Sequence, residues 1–174
     1  GGSVYPQFVL QIQQAIARLA GQSIEWAGLI WFQGENGASG TYWYLYPPEP
    51  YSFADKTRAL FAIVRGLTSQ TLPIAVARIG DNMLHDDVIL PQVDGGAMNT
   101  ADNLRGATNK RRADQVTLGG DPGCAWWDND GLPRRMADQP QWRYHYGSSG
   151  YLAMGERAYA AWLQASGEVP PPPL

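Results

Sequence analysis

The chain has 174 residues, 44% of them hydrophobic and 17% charged, with a mean hydropathy of -0.32. That length supports one hydrophobic core and excludes two ordinary domains, and no run approaches the ~18 apolar residues of a membrane span. Thirteen basic against 16 acidic residues leave a net charge of -3, which provides no broad positive field for nucleic acid or anionic lipid.

The first predicted element is a helix over residues 5–19, where Phe8, Ile12, Ala15, Ile16 and Leu19 share one face and Gly21 ends the run. Trp26-Ala27-Gly28-Leu29-Ile30-Trp31-Phe32 is a continuous apolar run too short for a helix, as expected of a strand buried on both faces. It stops at Gln33-Gly34-Glu35-Asn36-Gly37. Residues 41–51, with five aromatics among three prolines, read as an irregular loop. A second helix is expected over 53–67, with Leu60, Ile63, Val64 and Leu67 on one face.

A second buried strand spans 73–79 and closes at Gly80-Asp81-Asn82. After a long polar stretch, residues 104–116 carry a weaker helical pattern. Cys124-Ala125-Trp126-Trp127-Asp128 reads as a third strand ending in Asn129-Asp130-Gly131. A last helix is expected over 149–165, with Leu152, Tyr159, Trp162 and Leu163 near one face and Gly155 admitting a close neighbour. The domain is thus placed at 1–166, and 167–174, with Pro170 to Pro173, form a proline-rich tail or linker.

Alternating helices and strands imply right-handed crossovers and a parallel α/β sheet with helices on both faces, a three-layer αβα arrangement. Ligands of such sheets bind beyond the carboxyl ends of the strands, which selects residues 33–37, 80–87 and 128–145. Cys124 is the single cysteine, so neither an internal disulfide nor a cysteine-based metal site can form within the chain. The first thirty residues carry no signal-peptide pattern; a trimmed secreted or periplasmic chain reads the same way.

Within those stretches, Gln33 offers an amide that can donate to a developing oxyanion, and Glu35 a carboxylate that can orient an imidazole. His145, in Arg143-Tyr144-His145-Tyr146-Gly147, is placed to act as a general base if a carboxylate holds its other nitrogen. Each also has a plain reading, a solvated turn for Gln33 and Glu35 and a packed loop histidine for His145. His85-Asp86-Asp87 is a second imidazole and carboxylate cluster, but two histidines in the chain cannot make a three-histidine metal site. Trp31, Tyr42, Trp43 and Trp142 near strand ends suit a sugar-facing cleft, and are equally ordinary packing residues.

Two stretches, in this order, resemble the SGNH (GDSL-like) hydrolase superfamily and within it the sialate O-acetylesterase and carbohydrate esterase family 6 group. Gly28-Leu29-Ile30-Trp31-Phe32-Gln33-Gly34-Glu35-Asn36 is similar to the group's G-hydrophobic-hydrophobic-W-x-Q-G-E-(S/N) block. Residues 145–158, from His145-Tyr146-Gly147 through Gly155-Glu156-Arg157-Ala158, are similar to its carboxyl-terminal histidine block. The resemblance covers about residues 5–162. It implies a flavodoxin-like fold and a serine ester hydrolase that removes O-acetyl groups from acetylated carbohydrate, of acetylxylan or sialate type, without metal or cofactor.

By the resemblance, His145 is the triad base and Gln33 part of the oxyanion hole; Trp31, Asn36 and Trp142 are the candidate substrate contacts. The family's acid sits three residues before the histidine, where this chain has Trp142; Glu35 is the first candidate for that role and Asp138 the second. The family's nucleophile follows a first strand upstream of the Trp-x-Gln-Gly-Glu block, and this chain shows no strand pattern there. The expectation is therefore a carboxyl-terminal portion of such a hydrolase, its first strand or strands missing, its nucleophile unknown, and its sheet completed by an amino-terminal segment or companion chain. The alternative is a non-catalytic carbohydrate-binding or structural module on the same fold.

Overall fold

The structure is a computed structural model of the chain and describes residues 4–34, 53–85, 100–134 and 145–168. In chain order it runs α1 (Val4–Arg18), β1 (Leu29–Trp31), α2 (Phe53–Leu67), β2 (Ile74–Arg78), a single 3-10 turn (Asp81–Leu84), α3 (Ala101–Gly119), β3 (Cys124–Asp128) and α4 (Ser148–Ser166). The strands form an open parallel sheet in the order β1-β2-β3, with Leu29 beside Ile74 and Ile74 beside Cys124.

Strand alternation sorts the sheet's side chains between two layers of helix. Ile74 and Val76 point to one face and pack with Ala54, Phe61 and Leu118 of α2 and α3. Phe8 and Ile12 of α1 extend that layer over Leu29 and Trp31. Ala75, Ala77, Ala125 and Trp127 point to the other face and receive Met154, Ala158 and Ala161 of α4. The alanines let α4 lie close to the sheet. Ile74 and Val76, with no exposed surface, each contribute about 1.5–3 kcal/mol by leaving water.

β1 is not buried on both faces. Leu29 and Trp31 are half-covered by the α1 and α2 layer, whereas Ile30 is 56% exposed. Ile30 pairs with Ala75 and so shares the α4 face, but α4 packs over β2 and β3 and stops short of β1. Among the described residues β1 is thus an edge strand, and a short one.

Two helix faces also differ from expectation. On α2, Phe61 is buried and Ile63 is exposed, because the buried set Ala54, Thr57, Leu60, Phe61 and Val64 follows the sheet contact. On α4, Leu163 is buried as expected, but Leu152 and Tyr159 are exposed and the rest of the inward stripe is made of small residues, Gly150, Ala158 and Ala161, with Met154. The close approach falls at Gly150, where a β-carbon would lie 2.4 Å from the Pro133 carbonyl oxygen; at Gly155 it would meet nothing within 4 Å.

α3 is longer than its pattern suggests. Thr100 caps it by accepting from the Asn103 amide at 3.3 Å, and its buried stripe contains Thr108 and Gln115 beside Leu104, Ala107 and Leu118. Polar residues on the inward face hide the periodicity. α4 stops at Gly167, whose φ of +80° is the left-handed conformation that glycine adopts without strain.

Candidate functional site

Because the strands are parallel, their carboxyl ends lie along one edge, and four backbone segments are bonded together there. Gln115 of α3 spans the first two. Its side-chain NH2 donates to the Gln33 carbonyl at 2.9 Å, and its carbonyl accepts from the Ile79 amide at 2.9 Å. Fully buried, it satisfies both polar ends and holds the exit of β1 against the exit of β2. Gly34, with φ at +143°, sits against it, and a β-carbon there would come within 2.7 Å of the Gln115 side-chain nitrogen. The glycine is required both by conformation and by space.

The segment bearing His145 is fixed from both sides. Tyr146 pairs antiparallel with Arg134, and the Gly147 amide donates to the Pro133 carbonyl at 2.9 Å. The Tyr146 hydroxyl accepts from the Gly80 amide at 3.2 Å and donates to the buried Asn82 side-chain oxygen at 3.3 Å. Tyr146 thereby ties the approach to α4 to the exit of β2, and its neighbour His145 stands partly buried at this edge.

A charged cluster locks the same edge between β2 and β3. Arg112 bonds Asp130 through both terminal nitrogens, at 2.7 and 2.6 Å, and also reaches the Ile79 carbonyl. Arg78 bonds Asp128, and Asp130 at 2.7 Å, while its guanidinium lies 5.0 Å from the Trp126 ring centre. The Asp81 amide donates to Asp130 at 2.7 Å. Burial pushes the Asp130 carboxyl up, but the bonds and charge of Arg112, with the charge of Arg78, outweigh it and hold the group below the usual carboxylate value. For Arg112, burial pulls the guanidinium down, and Asp130 more than restores it.

Of the residues singled out in the sequence, Gln33 lies at this edge with its side chain exposed, and His145 lies on the same edge beyond β3. Trp31 has a packing role: its ring sits 6.5 Å from Phe8 and 5.8 Å edge-on to Phe61, inside the helical layer. Glu35, Asn36, Asp138 and Trp142 lie outside the described residues, as do Asp86 and Asp87. His85 is exposed, with its Nε2 3.9 Å from Asp81. Among the described residues no cluster of three or more metal-ligating side chains occurs, and no helix is long and apolar enough to cross a membrane.

Gln115, Arg112 and Tyr146 are the residues that assemble the edge, and the sequence reading passed over them. Gln115 and Arg112 sit in a helix with little periodicity, and their partners are strand-end backbone groups remote in sequence. Asn82 had a signal, its place in the turn after β2. Comparison with family models, with curated proteins and with solved structures returns no match, so the reading of the site rests on its own residues.

Proposed function

We propose that the chain is the carboxyl-terminal portion of an SGNH-type serine ester hydrolase acting on O-acetyl groups of carbohydrate. His145 is the general base, Gln33 donates to the oxyanion, Glu35 orients the imidazole with Asp138 as the second candidate, and the serine enters from a segment outside this chain. The observation that supports the reading is the platform itself. The buried Gln115 holds the exit bearing Gln33 against that of β2, and Tyr146 holds the segment bearing His145 against the same strand exit.

In the chemistry this allows, the serine oxygen attacks the acetyl carbonyl while His145 accepts its proton. The carbonyl oxygen gains charge and meets the Gln33 amide, on a loop that Gln115 holds in place before reaction. His145 then returns the proton to the departing sugar hydroxyl. Water, deprotonated by the same imidazole, releases acetate from the acyl-enzyme.

The test uses the whole encoded polypeptide, or this chain with its companion, on an acetylated sugar. His145→Ala is expected to lower turnover by about 10²–10⁴-fold, the share a general base supplies. A serine-directed phosphonate should label the nucleophile. Full turnover in the variant, or no labelling, would overturn the enzyme and favour the carbohydrate-binding module. Glu35→Gln is expected to cost more activity than Asp138→Asn, and the opposite ranking transfers the orienting role to Asp138.

A further inference from the structure

α3 carries two adjacent arginines past the carboxyl edge, and they are treated differently. Arg112 turns toward β3 and is bonded to Asp130 and the Ile79 carbonyl. Arg111 turns toward β1. Its stem packs against Gly34, where a β-carbon would lie 3.1 Å from the Arg111 Cγ, and its guanidinium carbon stands 3.9 Å over the Phe53 ring centre. Among the described residues no acceptor bonds this guanidinium. Asp114, one turn on, faces Lys110 at 3.9 Å.

A guanidinium held over an aromatic ring still has N–H donors to offer a further acceptor. A planar fork held in this way fits a carboxylate bidentately, and the ring beneath it excludes water from one side. Burial without a bonded partner also pulls the Arg111 guanidinium down, the reverse of Arg58 and Arg112, whose carboxylates raise them. Only the charge of Asp114 offsets that burial, and the Arg111 stem lies next to Gly34, one residue beyond the amide assigned to the oxyanion.

We propose that Arg111 is a substrate-binding residue that takes the carboxylate of an acidic sugar, so that the site selects acidic over neutral carbohydrate. The inference rests on the hydrolase reading for the identity of the rest of the ligand. Its position fits, because the Arg111 stem packs against Gly34, the residue that follows Gln33.

Binding is measured calorimetrically on the full chain with methyl glucuronoside and with its carboxyl methyl ester, two probes that differ by one charge. The glucuronoside is expected to bind about 10- to 100-fold more tightly than the ester, the range of a charge-assisted bidentate pair, and Arg111→Met should remove that difference. Arg111→Lys keeps stem and charge but loses the fork, and should retain a small part of it. Urea midpoints of both variants show whether they fold, and the lysine variant keeps the test open if the methionine variant does not.

Equal binding of the two probes, no binding of either, or an undiminished preference in a folded Arg111→Met overturns the proposal. Inorganic sulfate that binds more tightly than the glucuronoside reassigns Arg111 to a tetrahedral oxyanion and also overturns it. Selective binding that Arg111→Met abolishes, in a protein that hydrolyses no ester, supports the carboxylate site and overturns the hydrolase reading alone.

Discussion

Asp130 shows how a single side chain can determine the shape of an edge. Its two oxygens accept from Arg112, from Arg78 and from the Asp81 amide, so one carboxylate joins α3, β2 and the turn after β2. The carboxylate is about one-third exposed, and its two arginines are 20% and 11% exposed. The cluster is therefore partly screened, and its worth lies as much in satisfied donors as in Coulomb attraction. Asp130→Asn is expected to cost about 1–3 kcal/mol near neutral pH, because it leaves buried donors short of a charged acceptor. The sign of the pH dependence follows from the depressed carboxyl value. The stabilisation is complete above the ordinary carboxylate range near ~4 and is lost as the pH falls through the lower folded-state value. Urea denaturation of both proteins at pH 7 and pH 3 checks this. The gap between them should narrow on acidification, and a gap independent of pH would show that the aspartate acts through packing instead.

At the scale of the element, α4 is a helix whose glycines have opposite roles. Gly150 lies in the first turn, where the Pro133 carbonyl and the Tyr146 side chain occupy the space of a β-carbon. Gly155 is helical and open. Gly155→Ala is expected to stabilise the protein by about 0.5–1 kcal/mol through helix propensity, while Gly150→Ala destabilises it by about 1–3 kcal/mol by pushing α4 off the loop after β3. Thermal melting of the two variants should move the midpoint in opposite directions, and a shared direction would mean that the helix packs differently. The same helix marks the limit of what its residues disclose before folding. The bounds of strand β3 and helix α2 were legible to the residue, although the buried face of α2 took Phe61 in place of Ile63. The inward face of α4 was legible only in part: Leu163 is buried, but large apolar residues at 152 and 159 outrank small ones in any pattern, and a sheet face lined with Ala75, Ala77 and Ala125 selects the small ones. The candidate site divides in the same way. Gln33 and His145 stand in short motifs at strand and helix ends, where chemistry is visible from residue type. Gln115, Arg111 and Arg112 act through contacts with partners remote in sequence, such as Gly34 and Phe53 for Arg111, which no local pattern encodes.

For the molecule as a whole, the asymmetry of the helical layers leaves an opening beside β1. α1, α2 and α3 cover one face of the sheet, α4 covers β2 and β3 on the other, and Ile30 is left 56% exposed. On the flank of α4, Tyr159 stacks on Trp162 at 5.9 Å, and Trp162 reaches across to donate to the Ala27 carbonyl at 2.9 Å. Tyr159 and Leu152 are themselves 51% and 74% exposed. A parallel strand with an apolar face in water and no strand partner on its outer side among the described residues is a template for pairing. The isolated chain is therefore expected to associate with rising concentration, and Ile30→Lys, which puts a charge on that face while leaving Leu29 and Trp31 in place, should reduce the association. Sedimentation velocity over a hundredfold range of concentration, with wild type and variant side by side, measures it. A wild-type chain that stays monomeric throughout, or a variant that associates equally, would mean that the β1 edge and the Ile30 face are not the sticky surface. Loss of association on Ile30→Lys would identify the β1 edge and the Ile30 face as the surface through which the chain associates, with the exposed flank of α4 beside it.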